Sequence, residues 1–328
     1  LGLGLIKGYM MGFICSMYRF WRNWKALPVA SWIKAAEQFQ GRNYSKAIAL
    51  YSAGLKRHPQ HPAASSAQLD LAFCQQQKSD YRGAIETLKS LVLSYGGSRE
   101  AVVRLHKILR DVGQNKEAAW VIRRYIRAHG PDAELVARMT LALLACDASD
   151  AMLSEPLEMR ERVSGAAPSE LTKLADAMIG IKRKDSAARQ DLWKLASSAE
   201  ATKETLLSYA EVLLSEGKIA LARQTLRRAH GADRNCCRTL VLFAKSYLSS
   251  GPFYSPEDAR QLAEQACLVS GWGSLIAVHI LAESYHHLED ATNALLVAYK
   301  GKDLMRGNGA EAESVLVEQL IQDLSESH

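Results

Sequence analysis

Aromatic residues and proline are scarce in this chain. Phe, Trp and Tyr together are 7% of 328 residues and Pro is only 8 of them, whereas Ala and Leu recur throughout. A β-sandwich or barrel draws on more Val, Ile, Thr and aromatic side chains, so the composition favours helices packed closely through small residues. Signatures of chemistry are also missing: there is no G-x-x-x-x-G-K-[ST], G-x-S-x-G, H-E-x-x-H or strand-bound G-x-G-x-x-G, and Gly2 and Gly4 sit in an apolar tract. Nor is there a C-x-x-C pair. The six thiols (Cys15, Cys74, Cys146, Cys236, Cys237, Cys267) are scattered in helical context, which predicts reduced core cysteines. Adjacent Cys236 and Cys237 cannot close an ordinary disulfide without backbone strain. These absences predict a protein that is not an enzyme and holds no cofactor and no metal. With 48% hydrophobic and 23% charged residues, the chain reads as folded rather than disordered.

Charge is distributed unevenly. Residues 1–130 carry 20 Lys+Arg against 7 Asp+Glu, a net of +13, and residues 131–328 carry 21 against 28, a net of −7. A basic end is attracted to an anionic surface, while an acidic half is repelled by one, so a nucleic-acid groove along the whole molecule is not expected.

The first 18 residues, LGLGLIKGYMMGFICSMY, are almost wholly apolar and are followed by Arg19, Trp21, Arg22, Trp24 and Lys25. A secretory signal would place its charges before the apolar run; here they follow it, the polarity of an anchor whose remaining chain stays on the cytoplasmic side. Eighteen residues with Lys7 and four Gly fall short of the about 20 that a span needs, unless Lys7 snorkels. The alternative is an in-plane helix, in which Phe13, Met17, Trp21 and Trp24 share one face with Tyr18 beside it and Arg19, Arg22 and Lys25 off it. Either way residues 1–30 are expected to touch an anionic membrane surface. The competing reading packs this helix on the following domain.

From Ser31 the chain repeats itself with a period of 34 to 38. The first unit contains Trp32, Ala35, Phe39, Gly41, Tyr44, Ala47, Ile48, Tyr51, Leu55 and Pro59. Ala72, Tyr81, Ala84, Ile85 and Leu88 return 37 residues later, and Leu105, Gly113, Ala118, Ile122 and Tyr125 make the third unit. Later units run through Tyr209, Ala210, Gly217, Ala222 and Leu226, then Ala244, Tyr247, Gly251, Ala259 and Ala263, then Leu281, Ala282, Tyr285 and Ala294. This pattern resembles the tetratricopeptide repeat family over about Ser31 to Gly301. The resemblance implies an all-α, right-handed α-solenoid of helix-turn-helix units. Five alanines (Ala35, Ala72, Ala210, Ala244, Ala282) are then expected where the helices of a pair cross, and Ala47, Ala84, Ala118, Ala222, Ala259 and Ala294 where the second helix meets its neighbours. The expected organisation is an anchoring segment (1–30), three repeats (31–131), a degenerate helical stretch (132–201), three further repeats (202–309) and a capping helix (310–328). In the degenerate stretch Ala151 and Ala187 stand near the small position, with 163–169 as a candidate linker. Ser255-Pro256-Glu257-Asp258 reads as a helix start after an inserted loop.

On the family's helix-A face, which the resemblance makes a concave groove, two clusters stand out. Arg104, Lys107 and Arg110 suit a carboxylate-bearing peptide. His279, Glu283, His286 and His287, at i, i+4, i+7 and i+8, read as a polar ligand patch, a cation site or a solvated face. The combined expectation is a non-catalytic scaffold that binds protein partners at the cytoplasmic face of the inner (plasma) membrane, without nucleic acid or a small-molecule substrate. Membrane-anchored arrays of this type resemble bacterial assembly factors for envelope or exopolysaccharide (Pel-like) synthesis. That implies membrane complex subunits and a cytosolic glycosyltransferase as partners. The alternative is a soluble adaptor or secretion chaperone.

Overall fold

The computed structural model describes residues 30–94, 97–163 and 168–308, together with 318–319 and 321–322. The expected membrane-contact residues Phe13, Met17, Tyr18, Arg19, Trp21, Arg22, Trp24 and Lys25 lie outside the described residues. Among the described residues there is no strand, and no helix is long and apolar enough to cross a membrane.

Among the described residues sixteen helices follow one another as eight pairs. The first three pairs are α1 (Ala30–Gln40) with α2 (Tyr44–Arg57), α3 (Ala64–Gln77) with α4 (Tyr81–Ser94), and α5 (Arg99–Asp111) with α6 (Asn115–His129). The middle holds α7 (Ala133–Leu144) with α8 (Asp150–Arg162) and α9 (Glu170–Lys182) with α10 (Ser186–Ser197). The last three are α11 (Lys203–Ser215) with α12 (Ile219–Ala232), α13 (Cys237–Leu248) with α14 (Pro256–Val269), and α15 (Leu275–His287) with α16 (Ala291–Asn308). Each helix packs on its partner, so the chain is a stack of hairpins rather than a globule around one centre.

Local chemistry starts these helices. Ser98, Asp132, Ser169, Thr202 and Ser274 each accept a hydrogen bond from the backbone N–H three residues on, as N-caps do, and each such cap stabilises its helix by about 1 kcal/mol. Ser255 caps α14 from Asp258 N–H with Pro256 in the first turn, as the sequence predicts. Between the helices of every pair one residue adopts a left-handed backbone: Arg42, Ser79, Gly113, Asp147, Lys184, Gly217, Gly251 and Glu289. Only three of the eight are Gly, so the turn conformation persists in the middle of the chain where its glycine signal is lost.

Alanine sets the spacing of the stack. All eleven alanines expected at helix crossings are buried, none more than 1% exposed. The middle differs from expectation. Ala151 and Ala187 are exposed, and the small side chain that enters the contact is Ala188, whose neighbour across the helix pair is Gly180. A Cβ on Gly180 would stand 2.5 Å from the Ala188 Cβ, so α9 and α10 approach closely only because that position is bare. Helix α8 carries Pro156 in its interior and buries only Leu153 and Pro156; its neighbours α7 and α9 pack directly on one another. Pro156 removes a backbone donor, so α8 is held by tertiary contacts such as the Arg160–Asp176 ion pair rather than by its own ladder.

The stack closes on itself. One apolar core runs through Leu88, Leu105, Ile122 and Met139 of the second to fourth pairs and continues through Leu240, Ala244, Ala263, Val278 and Leu281 of the seventh and eighth. Gly113, in the turn after α5, sits so close to α15 that a Cβ there would be 2.6 Å from Ile276 Cδ1. Gly271, before α15, would likewise press on the Ser79 carbonyl at 2.9 Å. Ile321, from the expected capping segment, packs against the same core.

Two stability measurements test this packing. Ala282→Leu overfills a site with no free volume and should cost roughly 1–3 kcal/mol by chemical denaturation. Lys184→Gly should stabilise by about 0.5–1 kcal/mol, because a left-handed non-glycine residue costs roughly 1–2 kcal/mol and the extra chain entropy of glycine takes back part of that.

Candidate binding site at the centre of the solenoid

Closure brings together the inner faces of the first helices of five consecutive pairs. At their meeting point stands Glu204, the second residue of α11. Its Oε1 accepts from Arg110 Nη2 of α5 at 2.5 Å and from Arg238 Nη1 of α13 at 2.8 Å. Arg238 also grips both oxygens of Glu211, Nε to Oε1 at 2.9 Å and Nη2 to Oε2 at 2.8 Å, a planar two-point pair. Arg110 spends its other amino group on Asn115 Oδ1 at 2.9 Å and the Leu141 carbonyl at 3.2 Å. One carboxylate thus ties pairs three, six and seven, whose residues are 94 and 34 positions away in sequence.

The surroundings fix the charges. Burial works against the Glu204 carboxylate, but Arg238 and Arg110 hold its pKa well below the usual carboxylate range. Burial likewise opposes Arg238, and Glu204 and Glu211 keep it raised. Beside them Lys203 Nζ lies 3.0 Å from Asp233 Oδ2 and 3.7 Å from Asp111 Oδ2, and despite burial these acids, Asp111 foremost, hold the ammonium above its ordinary value. His106 is 3% exposed, and its Nδ1–H donates to the Ala118 carbonyl at 3.3 Å. Burial first and Arg110 second push its pKa from 6.5 down to about 3, so the ring is neutral.

Two cavities flank this cluster. One, of about 280 Å³, is lined by His106, Lys107, Arg138, Leu141, Leu171 and Lys203 among others, and so by α5, α7, the start of α9 and the start of α11. The other, of about 140 Å³, lies towards Gly113, Val241 and Ile276. Arg110 and Asp111 belong to both walls.

The sequence-predicted groove residues are therefore separated by the fold. Lys107 lines the larger cavity. Arg110 is 4% exposed and committed to Glu204, so its charge is spent inside the molecule rather than offered on an open face. Arg104 points to a flank, pairing with Glu100 at 2.7 Å and lying over the Phe73 ring at 5.8 Å. At the other flank His279 stands 3.9 Å from Glu283, and its pKa is lowered by burial. His287 Nδ1 shares a hydrogen bond with the Tyr254 hydroxyl at 3.1 Å, and His286 is exposed beside it. These four do not converge on one point, and among the described residues no group of three or more His, Cys, Asp or Glu is placed to hold a metal ion. The residues that reading the sequence missed are Arg138, Lys203, Glu204, Glu211 and Arg238. Their only local signal is a charge embedded in an apolar helix, as in CRTLVLFA, and nothing in the sequence pairs position 110 with position 204.

No family model matches the chain, and no curated protein does. Solved structures do. The chain is 14% identical to a tetratricopeptide repeat protein from Parabacteroides merdae, with a TM-score of 0.51 over 77% of this chain and 97% of that one. With the Cut9–Hcn1 hetero-tetramer of the APC/C it shares 11% identity and a TM-score of 0.59, covering 90% of this chain and 63% of the other. The fold is that of tetratricopeptide repeats. At these identities the likeness extends to the architecture of the repeats.

The charge cluster generates two predictions. Glu204→Ala leaves Arg110 and Arg238 buried without a shared acid. About a quarter of the Glu204 side chain remains accessible, so the expected loss is near the low end for buried pairs, about 3 kcal/mol in denaturant titration. His106 binds its proton more weakly folded than unfolded, so stability should fall as pH drops from 6.5 towards 3, by at most about 1.4 kcal/mol per pH unit. In His106→Leu the melting temperature should depend less steeply on pH across that window.

Proposed function

We propose that this protein is a non-catalytic scaffold that binds partner proteins through the inner face of its tetratricopeptide solenoid. The observation that carries this reading is the convergence of the first helices of successive pairs on one inner face, with charged side chains at its accessible flanks. Arg104 over Phe73 marks one flank, and His279, Glu283 and His287 mark the other. A preformed stack loses little conformational entropy when it receives a peptide or domain, which suits positioning rather than turnover.

The finer reading places the scaffold at the cytoplasmic face of the inner (plasma) membrane. It is supported by the net charge of +13 over residues 1–130 and by the apolar run that ends in Arg19, Trp21, Arg22, Trp24 and Lys25. In its most specific form the scaffold recruits a cytosolic glycosyltransferase to membrane subunits for envelope or exopolysaccharide assembly, a reading that rests on architecture alone.

Flotation with phosphatidylglycerol vesicles tests the membrane part. The full chain should float and a version starting at Ser31 should not; if neither floats, the soluble-adaptor reading replaces the anchored one. Partner binding is tested by affinity capture with mass spectrometry. Arg104→Glu should lower recovery of the captured partner at least tenfold, about 1.4 kcal/mol, with an unchanged melting temperature. Undiminished capture would remove that flank from the binding face.

A further inference from the structure

The larger central cavity has an unbalanced wall. Arg110 is matched by Glu204, and Lys203 by Asp111 together with Asp233. That leaves Lys107 and Arg138. Arg138 leans on Glu134 through Nε at 3.0 Å and Nη2 at 2.7 Å, but the same carboxylate is shared with Arg99 at 2.7 Å. Among the described residues Lys107 has no ion-pair partner, and its pKa is lowered, first by burial and next by Arg138. Glu134 and Asp111 act on Lys107 in the opposite sense, and Asp111 and Glu204 line the same cavity, but four cations against these two carboxylates leave the wall with an excess of positive charge that an anion would relieve.

The geometry narrows the anion. Cationic residues from three separate helices line the cavity, Lys107 on α5, Arg138 on α7 and Lys203 on α11, the last two also holding acids of the chain. The α11 amino end also opens there, and the positive end of a helix dipole adds to the preference for negative charge. Donors converging from several directions match a tetrahedral oxyanion with three acceptor oxygens better than a planar carboxylate with two. A volume of about 280 Å³, just below the ordinary range for drug-sized ligands, admits a compact molecule and not a folded peptide segment. Leu141 and Leu171 supply an apolar wall for a short carbon skeleton.

We propose that this cavity binds a small phosphate-bearing dianion between Lys107, Arg138 and Lys203. Because these residues lie on the third, fourth and sixth pairs, the ligand adds a further bridge to those that Arg110–Glu204 and Asp111–Lys203 already make between distant repeats. Binding stabilises the closed solenoid by mass action.

Isothermal titration calorimetry of the full chain at constant ionic strength tests this, with inorganic phosphate, free O-phosphoserine and succinate as probes. Phosphate and O-phosphoserine should bind saturably. Lys107→Gln should bind phosphate at least tenfold more weakly while keeping its phosphate-free melting temperature, and the remote surface variant Arg82→Gln should bind as the parent does. Heat no greater than that from chloride, or equal affinity in Lys107→Gln, overturns the proposal. Tighter binding of succinate than of phosphate overturns the choice of phosphate. A peptide carrying phosphoserine that binds where free O-phosphoserine does not overturns the small-molecule assignment and returns the cavity to a protein partner.

Discussion

Glu204 offers one oxygen to two arginines that arrive from helices far apart in sequence, and the central architecture depends on that sharing. A buried carboxylate between two guanidinium groups is not a cheap source of stability, since desolvating three charges offsets most of their attraction. What it supplies is discrimination. If the inner faces shift by one helical turn, both arginines lose the shared Glu204 oxygen, so alternative closures are disfavoured. Apolar packing is non-directional, whereas the charge cluster is directional; the close approach of Gly113 to Ile276 adds a second fixed point to the closure.

The cluster can form only because the repeats bring it to the right place. Alanine at each helix crossing keeps the stack tight, and a left-handed residue in each turn keeps the second helix antiparallel to the first. The irregular middle is part of this. At α8, which carries Pro156 in its interior and buries few side chains, α7 and α9 pack on one another more extensively than the first helices of the last three pairs do. Closure, cavity and charge cluster all lie on the inner side of this departure from the regular repeat.

Much of the fold was legible in the sequence because it rests on short-range rules. Ala210, Gly217 and Ala222 fall within one unit, and their spacing reports the crossing and the turn directly. Ser255 followed by Pro256 announces a helix start by the same local logic. In the middle, Ala151 and Ala187 stand near the small position but are exposed, and Ala188 enters the contact instead; Asp147 and Lys184 take the left-handed turn positions there, so the glycine that marks the turn at Gly113, Gly217 and Gly251 is missing. The site was far less legible. Lys107 was found as a cation on the inner face, but Arg110 was taken as available when it is spent on Glu204. That pairing is a property of superhelical curvature, which emerges from the accumulated rotation of many repeats and is not written in any one of them.

The central claim is that Arg110 and Glu204 meet, and a double-mutant cycle measures it. Arg110→Met, Glu204→Leu and the double variant should show a coupling free energy of roughly 2 kcal/mol, since residues in one buried network couple by about 0.5–3 kcal/mol. Positions 94 residues apart on an open stack would instead give additive losses within about 0.5 kcal/mol, and that result would contradict the closed solenoid.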